Sequence, residues 1–145
     1  MIGETYLFKD LYDGKKFMFI SSGSKGDIVK QVIFEKLKPD FYNLGFGDFI
    51  GYRVSDSVVS NNNDLQKVMN TIGAIIYQFF EINPTATISI IPVDDKRSRL
   101  YHTIFKRRIH EINRIFVLEG LNNEEWNIYE TDKVYQEFKI SKKDS

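Results

Sequence analysis

A strongly basic segment, residues 96–108, carries the side chains best suited to chemistry with anions. It contains six lysines and arginines and no acidic residue. The other 132 residues hold 14 basic and 20 acidic residues, a charge of −6, so the formally neutral chain has a local charge of +6. Guanidinium groups bind pairs of phosphate or carboxylate oxygens, so this segment predicts the binding of a negatively charged group.

The start of the basic segment is the best candidate site. Helical spacing places Arg97 one turn before Tyr101, at the edge of the buried face, and places Arg99 on the solvent side. In the first turn of a helix, free backbone N–H groups and a guanidinium can converge on one anion. We therefore predict that Arg97, Arg99 and Tyr101 contribute to ligand binding.

Two acidic features support a structural interpretation of the same segment. Asp94 and Asp95 directly precede it and could cap the helix, where they would fill the position of an anion. Residues 115–132 hold five acidic residues and no lysine or arginine. The second interpretation is therefore that the basic face is solvated and pairs with this acidic segment.

Two other polar clusters are further candidates. Asn62 and Asn63 lie in an amide-rich stretch before a predicted helix, where they could bind a polar ligand or satisfy the cap and a turn. Asp48 follows glycines at alternate positions of a strand-like segment, a pattern typical of a bulge or of close approach by another backbone. Asp48 could contact a ligand or form a turn.

The sequence excludes several kinds of site. The absence of cysteine removes disulfides, thiolate zinc sites, iron–sulfur clusters and cysteine nucleophiles. His102 and His110 are separated by ~12 Å along a helix axis, too far to share one metal ion. The stretch Ser22–Gly26 lacks the pattern of a phosphate-binding loop. No metal and no cofactor is indicated.

The elements that position these residues predict an α+β fold. Short aromatic and β-branched stretches separated by turns predict an antiparallel meander over the first 50 residues. Apolar residues at helical spacing predict one helix from about 65 to 80 and another from Asp95 to Asn113. Later strands, near 87–91 and 115–118, continue a mainly antiparallel sheet with both helices packed on one face. Residues 126–129 and 134–140 predict one or two edge strands or a short terminal helix.

Length and composition predict a single domain. The 145 residues fit one α+β domain over residues 1–141, followed by a flexible tail at 142–145. The N-terminus lacks the basic and apolar regions of a signal peptide, and no apolar run reaches the ~20 residues that span a bilayer. We expect a cytoplasmic protein without a membrane partner.

Three stretches together resemble a bacterial domain family of about this length that has no assigned activity. They are the strand segment Asn43–Asp48, the helix start Asn61–Asp64 and the basic segment Arg97–Tyr101, which match the patterns N-L-x-F-G-D, N-N-x-D and R-x-R-L-Y. The sequence departs from the family where Pro92-Val93-Asp94 replaces Gly-Ser-Thr. The resemblance implies the extent of the domain and the choice of candidate residues, and it implies no reaction.

Three functions are compatible with these patterns. The leading hypothesis is a non-enzymatic recognition module that binds a nucleotide, a nucleic acid or an acidic protein surface through residues 97–101. The first alternative is a small, metal-independent ribonuclease-like effector or toxin-type component, which would use Arg97, Arg99, Tyr101 and His102. The second alternative is a structural partner protein or homodimer with an interface of exposed aromatic residues.

Overall fold

A computed structural model describes residues 3–50, 53–55 and 62–144, and their fold is α+β. The strands form a mostly antiparallel sheet, as predicted. The chain divides into two compact units. The first unit comprises Met1–Glu35 and Gly45–Ile82, and the second comprises Lys36–Leu44 and Asn83–Ser145. None of the helices in the described ranges is long and apolar enough to cross a membrane.

The first unit combines an antiparallel meander with one long helix. Its elements are β1 (Phe8–Asp10), β2 (Lys16–Gly23), most of β3 (Gly26–Lys38) and of β4 (Phe41–Ile50), β5 (Arg53–Ser55) and α1 (Leu65–Ile82). Strand β2 pairs with β1 on one side and with β3 on the other, and β5 pairs with β4, antiparallel in each case.

Helix α1 forms because its apolar residues recur every three or four positions and bury one face. Ile72, Ile75 and Phe79 have no exposed surface. The ring of Phe79 stacks on Phe34 of β3 with 4.1 Å between the ring centroids, so the helix packs on the sheet of the first unit. Full burial of each such side chain contributes roughly 1.5–3 kcal/mol. The helix ends directly before Asn83-Pro84, because the residue before a proline disfavours helical backbone angles.

The second unit is built around the C-terminal strand. Its elements are the first residues of β4, then β6 (Thr87–Ile90), α2 (Asp95–Arg107), α3 (Ile109–Ile115), β7 (Phe116–Asn122), β8 (Glu125–Ile128) and β9 (Glu137–Lys142). The strand order is β4-β6-β9-β7-β8. Strands β4 and β6 are parallel, whereas β9 is antiparallel to both β6 and β7.

The predicted second helix is interrupted. Arg108 has φ −119° and ψ 18°, and its amide donates to the carbonyl of Phe105, only three residues earlier. The sequence from Asp95 therefore forms two helices instead of one helix to Asn113.

Strand β9 includes Lys142, and the Lys143 amide donates to the Ile115 carbonyl at 2.8 Å.

Helix α2 packs on β9 through its apolar face. Tyr101, Ile104 and Phe105 are buried, and the Phe105 ring lies 5.1 Å from the ring of Phe138 on β9. Arg97, one turn before Tyr101, is buried on the same face. This packing fixes the rotation of α2 and leaves its remaining basic residues toward solvent.

Candidate anion-binding site

Asp94 caps the N-terminus of α2. Its backbone is extended, with φ −156° and ψ 172°, and its Oδ1 accepts a hydrogen bond of 2.8 Å from the Arg97 amide. Its carbonyl accepts the amide of Ser98. A side-chain oxygen at this position satisfies one of the N–H groups that have no partner within the helix. The predicted cap is confirmed, and a carboxylate occupies part of the position suggested for a ligand.

The guanidinium of Arg97 is buried and only partly satisfied. Its Nη1 donates to Asp94 Oδ2 at 3.2 Å, and the side chains of the two residues are 6% and 48% exposed respectively. The Nε and Nη2 atoms are buried and have no hydrogen-bond partner among the described residues. Because Nε and Nη2 lie along one edge of the guanidinium, they form the fork that binds a carboxylate or phosphate through two parallel hydrogen bonds.

The solvent-facing side of α2 carries a basic stripe, which we define as Lys96, Arg99, Lys106 and Arg107. All four residues are exposed. At 3.6 residues per turn they fall within a sector of about 100°, and they extend about 16 Å along the helix axis. Lys96, Arg99 and Lys106 form no ion pair with any residue of the described ranges.

The acidic segment 115–132 does not neutralise the basic stripe. Glu130 pairs instead with Lys133, with 2.7 Å between carboxylate and ammonium. Arg108, outside the stripe, pairs with Glu111. No ion pair joins α2 to the acids of residues 115–132 in the part of the chain that the structure describes. The second interpretation of the basic face therefore lacks its proposed partner.

Tyr101 lies in the hydrophobic core of the second unit. It is 3% exposed, and its ring stacks on Phe105 with 6.4 Å between the centroids. Its contribution to the candidate site is thus to anchor α2 and to hold Arg97 one turn earlier. Arg99 lies in the basic stripe, so the three predicted residues of this segment occupy two different faces of the helix.

His102 is engaged with Tyr129. The Tyr129 hydroxyl lies 2.8 Å from His102 Nδ1. Burial raises the pKa of the Tyr129 phenol to about 12, with a smaller contribution from Tyr135. A ribonuclease-like mechanism would require this histidine to converge with Arg97, Arg99 and Tyr101. Two of those residues are buried, whereas Arg99 is exposed.

Asn62 is held by the turn between β2 and β3 in the first unit. Its Nδ2 donates to the carbonyls of Ser21 and Gly26 and to the Ser21 hydroxyl, while its Oδ1 accepts from the Lys25 amide. A Cβ on Gly23 would lie 1.9 Å from the Asn62 carbonyl oxygen, so this close approach requires glycine. Asn62 therefore joins the start of α1 to a distant turn.

Asn63 and Asp64 extend this connection. Asn63 has φ 58°, is exposed, and donates from Nδ2 to the Ser24 hydroxyl. Asp64 Oδ2 accepts hydrogen bonds from the hydroxyls of Tyr6 and Ser21. The asparagine-rich stretch thus supplies structural contacts within the first unit. Ser60 and Asn61, which belong to the same predicted cluster, lie outside the described residues.

Asp48 forms a buried ion pair with Lys30. The Lys30 Nζ lies 2.6 Å from Asp48 Oδ1, and the side chains are 1% and 5% exposed. Sequence analysis missed Lys30. The available signal was its position two and four residues before Val32 and Phe34, which places it on the buried face of β3. The six predicted site residues are divided between the two units. The first unit holds Asp48, Asn62 and Asn63, and the second holds Arg97, Arg99 and Tyr101.

A cavity of about 650 Å³ lies in the first unit, between the N-terminal segment and β2. Its lining includes Tyr6, Phe19 and Lys67, and none of the six predicted site residues. Lys67 pairs with Glu4 at 3.1 Å and lies 4.3 Å from the centroid of the Tyr6 ring.

In the described ranges, no cluster of three or more histidine, aspartate or glutamate residues is suited to hold a metal ion.

The chain belongs to DUF6934, a family of unknown function whose model matches residues 3–143. The match covers nearly the entire chain and agrees with the extent implied by the resemblance described above. Comparison with curated proteins and with solved structures finds no match. Family membership therefore supplies no activity, and the functional argument depends on the geometry of α2.

Proposed function

We propose that this member of a family without an assigned activity is a non-enzymatic recognition module that binds a negatively charged partner through the Arg97–Tyr101 segment of α2. In this proposal Arg99 contacts the partner directly, together with the other residues of the basic stripe. Tyr101 anchors the helix, and Arg97 lies one turn before it on the buried face, at the N-terminal end of the helix.

The observation that carries the proposal is that three of the four residues of the basic stripe are not neutralised. Lys96, Arg99 and Lys106 are exposed and without ion pairs to described residues, although the chain as a whole has as many acids as bases. Separation of charge into a basic helix and an acidic remainder creates a local positive potential that attracts anions. Intramolecular pairing would have removed this potential.

The length of the basic stripe favours a partner with repeated charges. Cations distributed over about 16 Å of helix can contact several phosphates of a nucleic acid or several carboxylates of an acidic protein surface. A mononucleotide would engage only one end of the stripe. No base-stacking aromatic belongs to the stripe, so contacts to nucleic acid would be mainly electrostatic and largely independent of base sequence.

The experiment is a binding titration at several salt concentrations with three probes: single-stranded RNA, polyglutamate and a mononucleotide. We expect one polyanion to bind, with an affinity that falls steeply as salt increases. For RNA, the double variant Arg99→Gln/Lys106→Gln should lower affinity at least about tenfold and reduce the salt slope by about 1–2, because each single-strand phosphate contact contributes about 0.7.

The matched control removes two exposed lysines of the first unit, Lys9 and Lys25, by the variant Lys9→Gln/Lys25→Gln. It makes the same change in net charge and should retain most of the affinity. Equal losses in the two double variants would assign binding to overall charge and would contradict a role for α2. The absence of binding to every polyanion would overturn the proposal.

A further inference from the structure

The unpartnered edge of Arg97 is an energetically unfavourable arrangement that has no structural explanation in the second unit. A buried donor without an acceptor carries a desolvation penalty, which is larger when the donor is charged. Arg97 is 5% exposed and leaves two such donors, Nε and Nη2, without partners among the described residues. A leucine at this position would have no buried polar donor and would avoid this penalty.

The geometry of the two donors specifies the chemistry of their acceptor. The N–H groups of Nε and Nη2 point in nearly parallel directions and match two oxygens on one carbon or phosphorus atom. Nη1, on the other side of the guanidinium, already donates to Asp94. The unpartnered edge is therefore complementary to a single carboxylate or phosphate group.

We infer that the Nε/Nη2 edge of Arg97 binds one oxyanion group, a carboxylate or a phosphate, and that Asp94 is an internal competitor for the same guanidinium. This inference deepens the proposed function, on which it rests for the location of the anionic partner at α2. It adds a defined recognition point for one group of that partner, at the N-terminal end of the helix.

Asp94 is positioned to oppose the incoming group electrostatically. It is the only side chain that accepts a hydrogen bond from the Arg97 guanidinium among the described residues, and this bond is 3.2 Å long. Asp94 contacts Nη1 and the Arg97 amide and leaves the Nε/Nη2 edge unoccupied, so the incoming group can bind while the helix remains capped. The guanidinium then gains two hydrogen bonds. Because both anions are negative, the carboxylate of Asp94 repels the ligand and competes for the charge of the guanidinium.

The experiment follows the arginine Nε–H resonances by ¹H–¹⁵N spectroscopy during separate titrations with inorganic phosphate and with acetate. The Arg97 resonance is assigned by its loss in Arg97→Lys. We expect a saturable shift of this resonance with at least one anion, and the anion that produces it distinguishes phosphate from carboxylate recognition.

Two variants test the mechanism. Asp94→Asn keeps a side-chain oxygen for the cap and removes the competing charge, so it should tighten anion binding about tenfold. Arg97→Lys keeps a positive charge but lacks the fork, and it should abolish binding of the small anion. If Arg97→Lys fails to fold, the Arg97 resonance is assigned by through-bond correlation to its own backbone amide, and the wild-type titration and Asp94→Asn remain decisive.

The outcomes separate this inference from the proposed function. An Arg97 Nε–H that is unmoved by both anions, or Asp94→Asn with unchanged affinity, would overturn the inference even if RNA or polyglutamate still binds through the basic stripe. Conversely, a shift at Arg97 that survives in Arg99→Gln/Lys106→Gln, together with no polyanion binding in the wild type, would support the inference and contradict the larger proposal.

Discussion

Lys30 and Asp48 form an ion pair inside the first unit, with 2.6 Å between Nζ and Oδ1. Lys30 lies opposite Phe19 in the register of β2 and β3, and its ammonium is 6.0 Å from the centroid of the Phe46 ring. Two aromatic side chains therefore lie beside the buried lysine, and an isolated charge in such an environment is very unfavourable.

Removing one member of this pair should be strongly destabilising. We expect Asp48→Asn to lower the free energy of unfolding by about 3–5 kcal/mol, because an uncompensated ammonium remains buried. Replacing both residues, as in Lys30→Met/Asp48→Leu, should restore most of the loss. Urea denaturation measures both effects. As a control, Lys133→Ala breaks the exposed pair with Glu130 and should leave the unfolding midpoint unchanged. Equal losses in the single and double variants would contradict this account.

Asn62→Ala should destabilise the first unit by about 1–3 kcal/mol. The substitution leaves the buried carbonyl of Ser21 and the partly buried carbonyl of Gly26 without their side-chain donor. The comparison is Asn63→Gly, since Asn63 is exposed and glycine tolerates its positive φ. Thermal unfolding should distinguish the two variants clearly. If Asn62→Ala retained wild-type stability but weakened anion binding, the originally predicted ligand role would regain support.

Gly120→Ala should destabilise the second unit by about 1–3 kcal/mol. A Cβ at Gly120 would lie 2.2 Å from Cδ1 of Tyr135, so the ring would have to move. The control is Gly73→Ala in α1, where an added Cβ meets no atom within 4 Å. Because alanine is the better helix former, this control should increase stability by about 0.5–1 kcal/mol. Melting temperatures that shift in the same direction for both variants would contradict the packing argument.

The stability of the protein at alkaline pH should depend on the ionisation of the Tyr129 phenol. Burial raises the pKa of its phenol from 10.0 to about 12. The associated stabilisation is fully present below pH 10, where the phenol is protonated in both the folded and the unfolded chain. Between pH 10 and about 12 the unfolded chain loses this proton first, so the free energy of unfolding should fall.

Urea denaturation at pH values across this window, for the wild type and for Tyr129→Phe, measures the effect. The variant should show a smaller loss of stability per pH unit because it has no phenol at this position. Parallel curves for the two proteins would assign the alkaline loss of stability to other groups.

Local sequence patterns predicted where the helices lie, but they did not predict the features that depend on tertiary packing. The spacing of apolar residues predicted α1, and Asp94 predicted the start of α2. The break at Arg108 was not predictable, because residues 95–115 contain neither glycine nor proline and the observed backbone angles are open to any residue. The insertion of β9 between β6 and β7 depends on pairing of distant segments, which no local pattern indicates. The common face predicted for both helices stays a prediction.

The placement of Arg97 was predictable from the sequence, whereas the hydrogen bonding of its guanidinium was not. One turn of helical spacing before Tyr101 predicted that Arg97 lies at the buried face, and it is buried. The unsatisfied edge of its guanidinium depends on which acceptors the packed structure provides. Asn62 illustrates the same limit, since its partners Ser21 and Gly26 lie 41 and 36 residues away along the chain. Strand alternation could have predicted that Lys30 is buried, but no local pattern could have predicted that it pairs with Asp48.

Strand β9 hydrogen-bonds along both of its edges, to β6 on one side and to β7 on the other. During translation, β6 and β7 emerge from the ribosome before residues 137–142, and each then presents an open edge that can join a strand of another chain. The second unit can close only after these last residues emerge. Premature termination before Glu137 should therefore yield an aggregation-prone product, and the interval before β9 emerges is the one in which chaperone protection matters most.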